Sequence, residues 1–126
     1  MGTSEDGEYT SYLVDAIIAE VRQSGSIVIV ISSLGTGDTR PSLHKRRLHN
    51  AAARLVDYQS AIPRKQVVTA EGDRVKGKGK VEFYVNGRLV YVVLFKPNAD
   101  FTMDCCDGAD PSYYPWYKEP TKKTKL

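Results

Sequence analysis

The stretch RVKGKGKVEFYVNGRLVYVVLFK, residues 74–96, decides the fold that the sequence predicts. Two runs of alternating character flank the pair Asn86-Gly87. Asn-Gly is the strongest short-range signal for a two-residue type I′ turn. We therefore expect a β-hairpin in which Val85 pairs with Arg88 and Tyr84 pairs with Leu89.

If the pairing continues along both strands without a break, it assigns every residue of the hairpin to one of two faces, because alternate side chains of a strand point the same way. The core face is expected to be apolar. Its members are Val81, Phe83, Val85, Val90, Val92 and Leu94. The opposite face mixes cations with aromatic rings. Its members are Arg74, Lys76, Lys78, Lys80, Glu82, Tyr84, Leu89, Tyr91, Val93 and Phe95.

The segments before the hairpin predict two helices and two strands. Residues 8–23 have apolar side chains at helical spacing, and Gly25 follows as the expected C-terminal cap. The run SIVIVIS, residues 26–32, is typical of a central strand covered on both faces. Residues 41–59 have a second helical pattern, and residues 66–71 predict a short strand.

The element order is therefore α-β-α-β-β-β, which predicts an α+β fold. We expect a small two-layer sandwich, with two helices on one face of a mostly antiparallel sheet. A chain of 126 residues has room for one such domain. The predicted organisation is a flexible N-terminus over residues 1–7, a single domain over residues 8–99 and a C-terminal tail over residues 100–126.

Charge is concentrated in the middle of the chain. Residues 1–39 contain six acidic residues and one arginine, whereas residues 40–96 contain thirteen basic residues and four acidic ones. A net charge of only +3 thus conceals one basic region, which predicts a basic surface that attracts a polyanion. No apolar run is long enough to span a membrane, and the acidic N-terminus resembles no targeting peptide, so a cytoplasmic protein is expected.

The second predicted helix has an apolar stripe and a basic stripe on opposite sides. The basic stripe consists of Arg46, Arg47, Asn50 and Arg54. A solvated helix face accounts for such a stripe. The functional interpretation is that its members contact a nucleic acid, with the asparagine available for base edges.

Other groups offer weaker candidate sites. Gly35, Gly37, Asp38 and Thr39 lie between a strand and a helix, where a phosphate can bind, but an ordinary connection explains them as well. The pair His44 and His49 has the wrong spacing for a metal site. Adjacent Cys105 and Cys106, flanked by acids, leave a metal site open as an alternative to two incidental thiols.

The C-terminal segment is acidic and rich in aromatic residues, with Tyr113, Tyr114, Trp116 and Tyr117 close together. Such rings either cover an apolar surface of the same chain or dock on a partner. A protein-interaction module is therefore the alternative function: an inhibitor, adaptor or subunit that binds through this tail or through the mixed sheet face. A homodimer through the sheet is compatible with either function.

The sequence contains no recognisable catalytic arrangement and predicts no cofactor. Cations and aromatic rings on one face favour a non-enzymatic nucleic-acid-binding protein, DNA- or RNA-binding, directed to single strands or to the backbone. The predicted contact residues are Arg46, Arg47, Asn50, Arg54, Arg74, Lys76, Lys78, Lys80, Tyr84 and Tyr91.

Overall fold

The computed structural model describes residues 2–4, 8–9, 11–40, 42–57 and 62–103. Its elements, in chain order, are β1 (Gly2–Ser4), β2 (Glu8–Tyr9), α1 (Ser11–Ser24), β3 (Val28–Ser33), α2 (Leu43–Asp57), β4 (Val67–Glu71), β5 (Gly79–Val85), β6 (Arg88–Phe95) and β7 (Thr102–Met103). A 3₁₀ turn, Arg64–Gln66, precedes β4. The longer elements follow the predicted order α-β-α-β-β-β, so the α+β prediction is confirmed.

The main sheet has the strand order β1-β6-β5-β3-β4. Among its four longer strands, β5 pairs antiparallel with both β3 and β6, whereas β4 pairs parallel with β3. The sheet is thus mixed and mostly antiparallel. β3 lies between β4 and β5, which agrees with the central position that its β-branched run predicts.

Both helices pack on one face of this sheet. α1 lies against β5 and β6, and α2 lies against β3 and β4. Gly25 ends α1 with a φ of 66° while its N–H donates to Val21 O at 2.7 Å, as the sequence predicts. The core between the layers contains the buried side chains Ile17, Val21, Val28, Val30, Leu48, Ala51, Leu55, Ile62, Val81, Phe83, Val85, Tyr91, Val93, Phe95 and Phe101.

The hairpin forms around the predicted turn but contains a β-bulge. Asn86 and Gly87 have φ values of 54° and 75°, as a type I′ turn requires, and Val85 pairs with Arg88. Beyond the Tyr84–Leu89 pair, however, Phe83 pairs with Tyr91, so that Val90 is the extra residue. One inserted residue moves all later side chains to the opposite face.

The predicted faces of β6 are therefore wrong beyond Val90. Tyr91, Val93 and Phe95 lie in the core, where they are 8%, 0% and 0% exposed, instead of beside the lysines. Val92 and Leu94, expected in the core, are only half-buried. The predicted contact residue Tyr91 is thus a core residue, since its ring lies on the face that the helices cover.

The opposite side of the sheet, which we call the open face, has no helix of the described chain against it. The strand register places on it Thr3, Ile29, Ile31, Ser33, Val68, Ala70, Lys80, Glu82, Tyr84, Leu89, Val92 and Leu94. Apart from Ser33, none of these side chains is fully buried, and Val68 is 43% exposed. The apolar run of β3 predicts that other parts of the chain cover both faces of the sheet. The described residues do not cover the open face.

Strand pairing continues beyond both predicted domain boundaries. β1 pairs in parallel with β6, and β7 pairs in parallel with β2. The predicted aromatic tail around Tyr113–Tyr117 and the pair Cys105 and Cys106 lie outside the described residues. Within the described ranges, no helix has the length and apolar character needed to cross a membrane.

Candidate nucleic-acid interface

Three segments meet at one end of the sheet, which we call the loop end. They are residues 34–40 after β3, residues 72–78 between β4 and β5, and residues 96–101 after β6. The N–H of Thr36 donates to Gly77 O at 2.9 Å, and the N–H of Thr39 donates to Asn98 Oδ1 at 2.7 Å. These bonds join the three segments into one surface.

Asp38 holds the loop end together from inside. Its carboxylate is 1% exposed and accepts bonds from the N–H groups of Gly35 and Asn98, both at 2.7 Å. It also accepts from Arg47 Nη1 at 3.0 Å and from Nη2 at 3.1 Å. Burial alone would raise the pKa of Asp38, but these hydrogen bonds outweigh it and hold the pKa below its ordinary value of 3.8.

The predicted basic stripe of α2 faces this network and not solvent. The side chains of Arg46 and Arg47 are both 0% exposed. Arg47 donates further bonds to Ala99 O at 2.9 and 2.7 Å, and its guanidinium lies 4.2 Å from the centre of the Phe95 ring. Arg46 donates from Nε to Asp100 Oδ2 at 2.9 Å. Both arginines are thus buried ion-pair partners in this fold, whereas the sequence predicts them as nucleic-acid contacts.

The other two members of the stripe are also buried. Asn50 is 0% exposed and donates from Nδ2 to Asp100 Oδ2 at 3.2 Å, while Arg54 is 5% exposed. Segment 96–101 covers this side of α2, which the helical pattern alone places in solvent. Asn50 and Arg54 therefore do not face solvent in this fold.

Two glycines permit the close packing around the ion pair. A Cβ on Gly79 would overlap Asp38 Oδ2 and lie only 2.6 Å from Arg47 Nη1. A Cβ on Gly35 would overlap the backbone of Gly77 and Gly79. The spaced glycines of the KGKGK run thus allow segments to approach, in addition to the turn that Gly77 makes with its φ of 81°.

The sequence predicts Arg74, Lys76, Lys78 and Lys80 in one strand of the hairpin, and this prediction is only partly correct. β5 begins at Gly79, so Arg74, Lys76 and Lys78 lie in the preceding loop and only Lys80 lies in the strand. All three loop cations are exposed. Arg74 Nη1 donates to the carbonyl oxygens of Gly35 and Asp38, the latter at 2.9 Å. The loop therefore holds its arginine in a fixed position at the surface.

Lys80, Glu82 and Tyr84 form a row along the open face. Lys80 Nζ lies 3.5 Å from Glu82 Oε2, and the Tyr84 hydroxyl donates to the same oxygen at 3.3 Å. Partial burial and the negative charge of Glu82 raise the pKa of Tyr84 above 10.0. The phenol is therefore neutral near pH 7, and it is the predicted aromatic contact that remains on the same face as a lysine.

A cleft opens at the loop end between the first two segments. It has a volume of about 510 Å³ and is lined by Thr36, Asp38, Thr39, Arg74, Val75 and Lys76. Asp38 and Thr39 are among the residues that the sequence suggests for a phosphate loop. Gly35 and Gly37 do not line the cleft. Gly35 packs on the neighbouring loop, and a Cβ on Gly37 would lie 2.9 Å from the Pro97 ring.

No three His, Cys, Asp or Glu side chains in the described part of the chain lie together as a metal site. His44 Nδ1 instead lies 3.0 Å from Ser32 Oγ, and His49 is buried. The chemistry at the loop end is thus that of hydrogen-bond donors and fixed positive charges.

Two basic residues of the loop end are missed by the sequence-based prediction. Arg40 donates from Nη1 to Asn98 O at 3.0 Å, and Lys96 is exposed directly after β6. Neither belongs to a periodic pattern, so only the folded arrangement brings them near the loop lysines. We define the basic cluster as Arg40, Arg74, Lys76, Lys78, Lys80 and Lys96.

Comparison of the chain with protein-family models, with curated proteins and with solved structures finds no match. The geometry of the loop end and the open face is therefore the basis for a functional conclusion.

Proposed function

We propose that this chain is a non-enzymatic nucleic-acid-binding protein whose basic cluster contacts the phosphates of a single strand. The observation that carries the proposal is the convergence of cations from three separate segments on the loop end. Binding to a phosphate backbone needs Lys and Arg side chains spread over a surface, and it does not need a catalytic group.

The charge balance at the loop end favours an anion. Asp38 and Asp100 are neutralised inside the fold by Arg47 and Arg46. The more accessible carboxylates near the cluster are Glu71, Asp73 and Glu82. The six cations of the cluster therefore exceed these three acids by three charges, equal to the net charge of the entire chain.

The open face adds a ring on which a base can stack. Tyr84 lies four residues along β5 from Lys80, roughly 13 Å at strand spacing. A strand that leaves the basic cluster past Lys80 would meet this ring, and stacking contributes about 1–3 kcal/mol per base. Single strands are favoured over duplexes because their bases are free to stack.

A salt titration tests the proposal. With three to four phosphates contacted, the slope of log affinity against log salt is expected to be about −2 to −3 for a single strand, which means roughly a 20- to 50-fold loss between 50 and 200 mM salt. The measurement is fluorescence anisotropy with labelled DNA and RNA 20-mers of mixed sequence. No binding at 25 mM salt would overturn the proposal.

A charge-reversed pair of variants identifies the surface. Lys76→Glu with Lys78→Glu is expected to weaken binding at least tenfold and to flatten the salt slope, because two phosphate contacts are lost. The matched control is Arg64→Glu with Lys65→Glu, which changes the net charge equally at the opposite end of β4. Equal weakening in the two double variants would contradict the assignment to the loop end.

A protein-interaction module is the second candidate, and the composition of the open face favours it. Eight of its twelve residues are apolar or aromatic, more than an ordinary solvated surface requires. On this face Lys80 pairs with Glu82, and a two-fold axis between them would set each charge against the opposite charge of the second copy. Light scattering tests this: a monomer at 100 μM, unchanged by Val68→Glu, would exclude the homodimer.

A further inference from the structure

We infer that the cleft between residues 36–39 and 74–76 is a binding site for a terminal phosphate group of the nucleic-acid strand. This inference rests on the proposed function and assigns a specific ligand group to part of the same surface. It is carried by the cleft itself and by the side chains that line it, Thr36, Asp38, Thr39, Arg74, Val75 and Lys76.

Arg74 provides a donor whose position is fixed before the ligand arrives. Two N–H groups of its Nη1 are used on the carbonyl oxygens of Gly35 and Asp38. Within the described chain, its Nε and Nη2 have no hydrogen-bond partner, which leaves three N–H groups for an anion. A preorganised guanidinium loses little entropy when it binds a phosphate through two parallel bonds.

Lys76 and Thr36 supply further donors at the same cleft. Lys76 is exposed and makes no ion pair with a described residue. The hydroxyl oxygen of Thr36 accepts from the N–H of Gly77 at 3.0 Å, so its hydrogen is directed elsewhere. Three different donor types therefore line one concave surface.

The carboxylate in the lining does not repel the anion strongly. Asp38 is enclosed by four donors, among them both terminal nitrogens of Arg47, and its side chain is 1% exposed. Its charge is therefore compensated by donors inside the fold. Arg74 and Lys76 remain as two uncompensated positive charges.

Two positive charges match a terminal phosphate better than an internal one. A phosphomonoester has a second pKa of about 6 and approaches a charge of −2 at pH 7, whereas a phosphodiester has a charge of −1. The cleft volume of about 510 Å³ also lies within the range of roughly 300–1,000 Å³ that is usual for small-ligand sites. The end of a strand is thus the predicted occupant.

Matched oligonucleotides test the inference. Two DNA 12-mers of one sequence, with a 5′-phosphate or a 5′-hydroxyl, are titrated at 50 mM salt, and a third with a 3′-phosphate identifies which end is recognised. We expect about tenfold tighter binding of a phosphorylated 12-mer at pH 7.5, as for one charge-assisted bidentate contact. The preference should decrease at pH 5, where the phosphate carries one charge less.

Two variants separate the cleft from general charge attraction. Arg74→Lys keeps the positive charge but removes the planar guanidinium that can bind a phosphate through two parallel bonds. Lys76→Gln changes an exposed side chain with which no described residue forms a hydrogen bond or an ion pair. Each should reduce the phosphate preference to less than threefold while the salt-dependent binding of the 5′-hydroxyl 12-mer persists.

The outcomes distinguish the two proposals. Equal affinity of the wild type for all three 12-mers would overturn the cleft assignment and leave the proposed function intact. A preference that survives in both variants would also overturn it. Absence of salt-dependent binding to any 12-mer would overturn the proposed function, together with the inference that rests on it.

Discussion

Removal of the Asp38 carboxylate tests the network that positions the loop end. Asp38→Ala deletes four accepted hydrogen bonds and leaves the buried Arg47 without its counter-ion. Breaking a buried ion pair by removing one partner costs about 3–5 kcal/mol. Arg47 keeps its bonds to Ala99 O, so a value of about 3 kcal/mol is expected.

Urea denaturation followed by circular dichroism measures this loss. A domain of this size has a typical free energy of unfolding of about 5–15 kcal/mol. With a denaturant slope of about 1–3 kcal/mol per molar urea, the midpoint should decrease by about 1–3 M. The control is Asp73→Asn, an exposed neighbour expected to change stability by less than about 0.5 kcal/mol. A loss below about 1 kcal/mol for Asp38→Ala would refute the reasoning.

The pH dependence of the same network has a defined sign. The pKa of Asp38 is lower in the folded chain than its ordinary value of 3.8, so the folded state favours the charged carboxylate. Its contribution to stability is therefore complete above that ordinary pKa of 3.8, which applies to the unfolded chain, and is lost as the pH falls through the folded pKa. The stability difference between wild type and Asp38→Asn should be constant from pH 7 to 5 and decrease below pH 4.

Two further predictions concern packing, and urea denaturation measures both. Gly79→Ala should destabilise the chain by about 1–3 kcal/mol, since its Cβ would overlap the Asp38–Arg47 pair, whereas Lys78→Ala beside it should change stability little. Tyr91→Ala should cost about 3–5 kcal/mol because the ring is buried, and Val92→Ala on the open face should cost less than about 1 kcal/mol. The reverse order of the last two would contradict the bulged register.

The local signals in the sequence predict the element order and the hairpin turn correctly. Asn86-Gly87 adopts the positive φ values of a type I′ turn, and Gly25 ends α1 in the left-handed region. The bulge was not predictable by pattern, because both faces of Leu89–Phe95 are apolar. A one-residue shift therefore changes the buried set without exposing a polar side chain to the core.

Of the candidate site, the sequence predicts only the cations of the loop between β4 and β5. Arg46 and Arg47 form a basic helical stripe, and a stripe of that kind is usually solvated. Their partners Asp100 and Asp38 lie 54 and 9 residues away in the chain, so no local pattern indicates that the charges are buried and paired. The predicted contacts Arg74, Lys76 and Lys78 are exposed in the fold. The cleft beside them forms only when two loops that are distant in the chain come together, so the sequence does not indicate it.

The proposed binding surface is tested most directly by mapping it on the folded chain. Amide chemical shifts of the ¹⁵N-labelled protein are followed by NMR while a single-stranded 12-mer with a 5′-phosphate is added at 50 mM salt. We predict that the largest changes occur at residues 36–40, 74–80 and 96–98. Changes concentrated at residues 64–68, at the opposite end of β4, or no changes at saturating oligonucleotide would contradict the account.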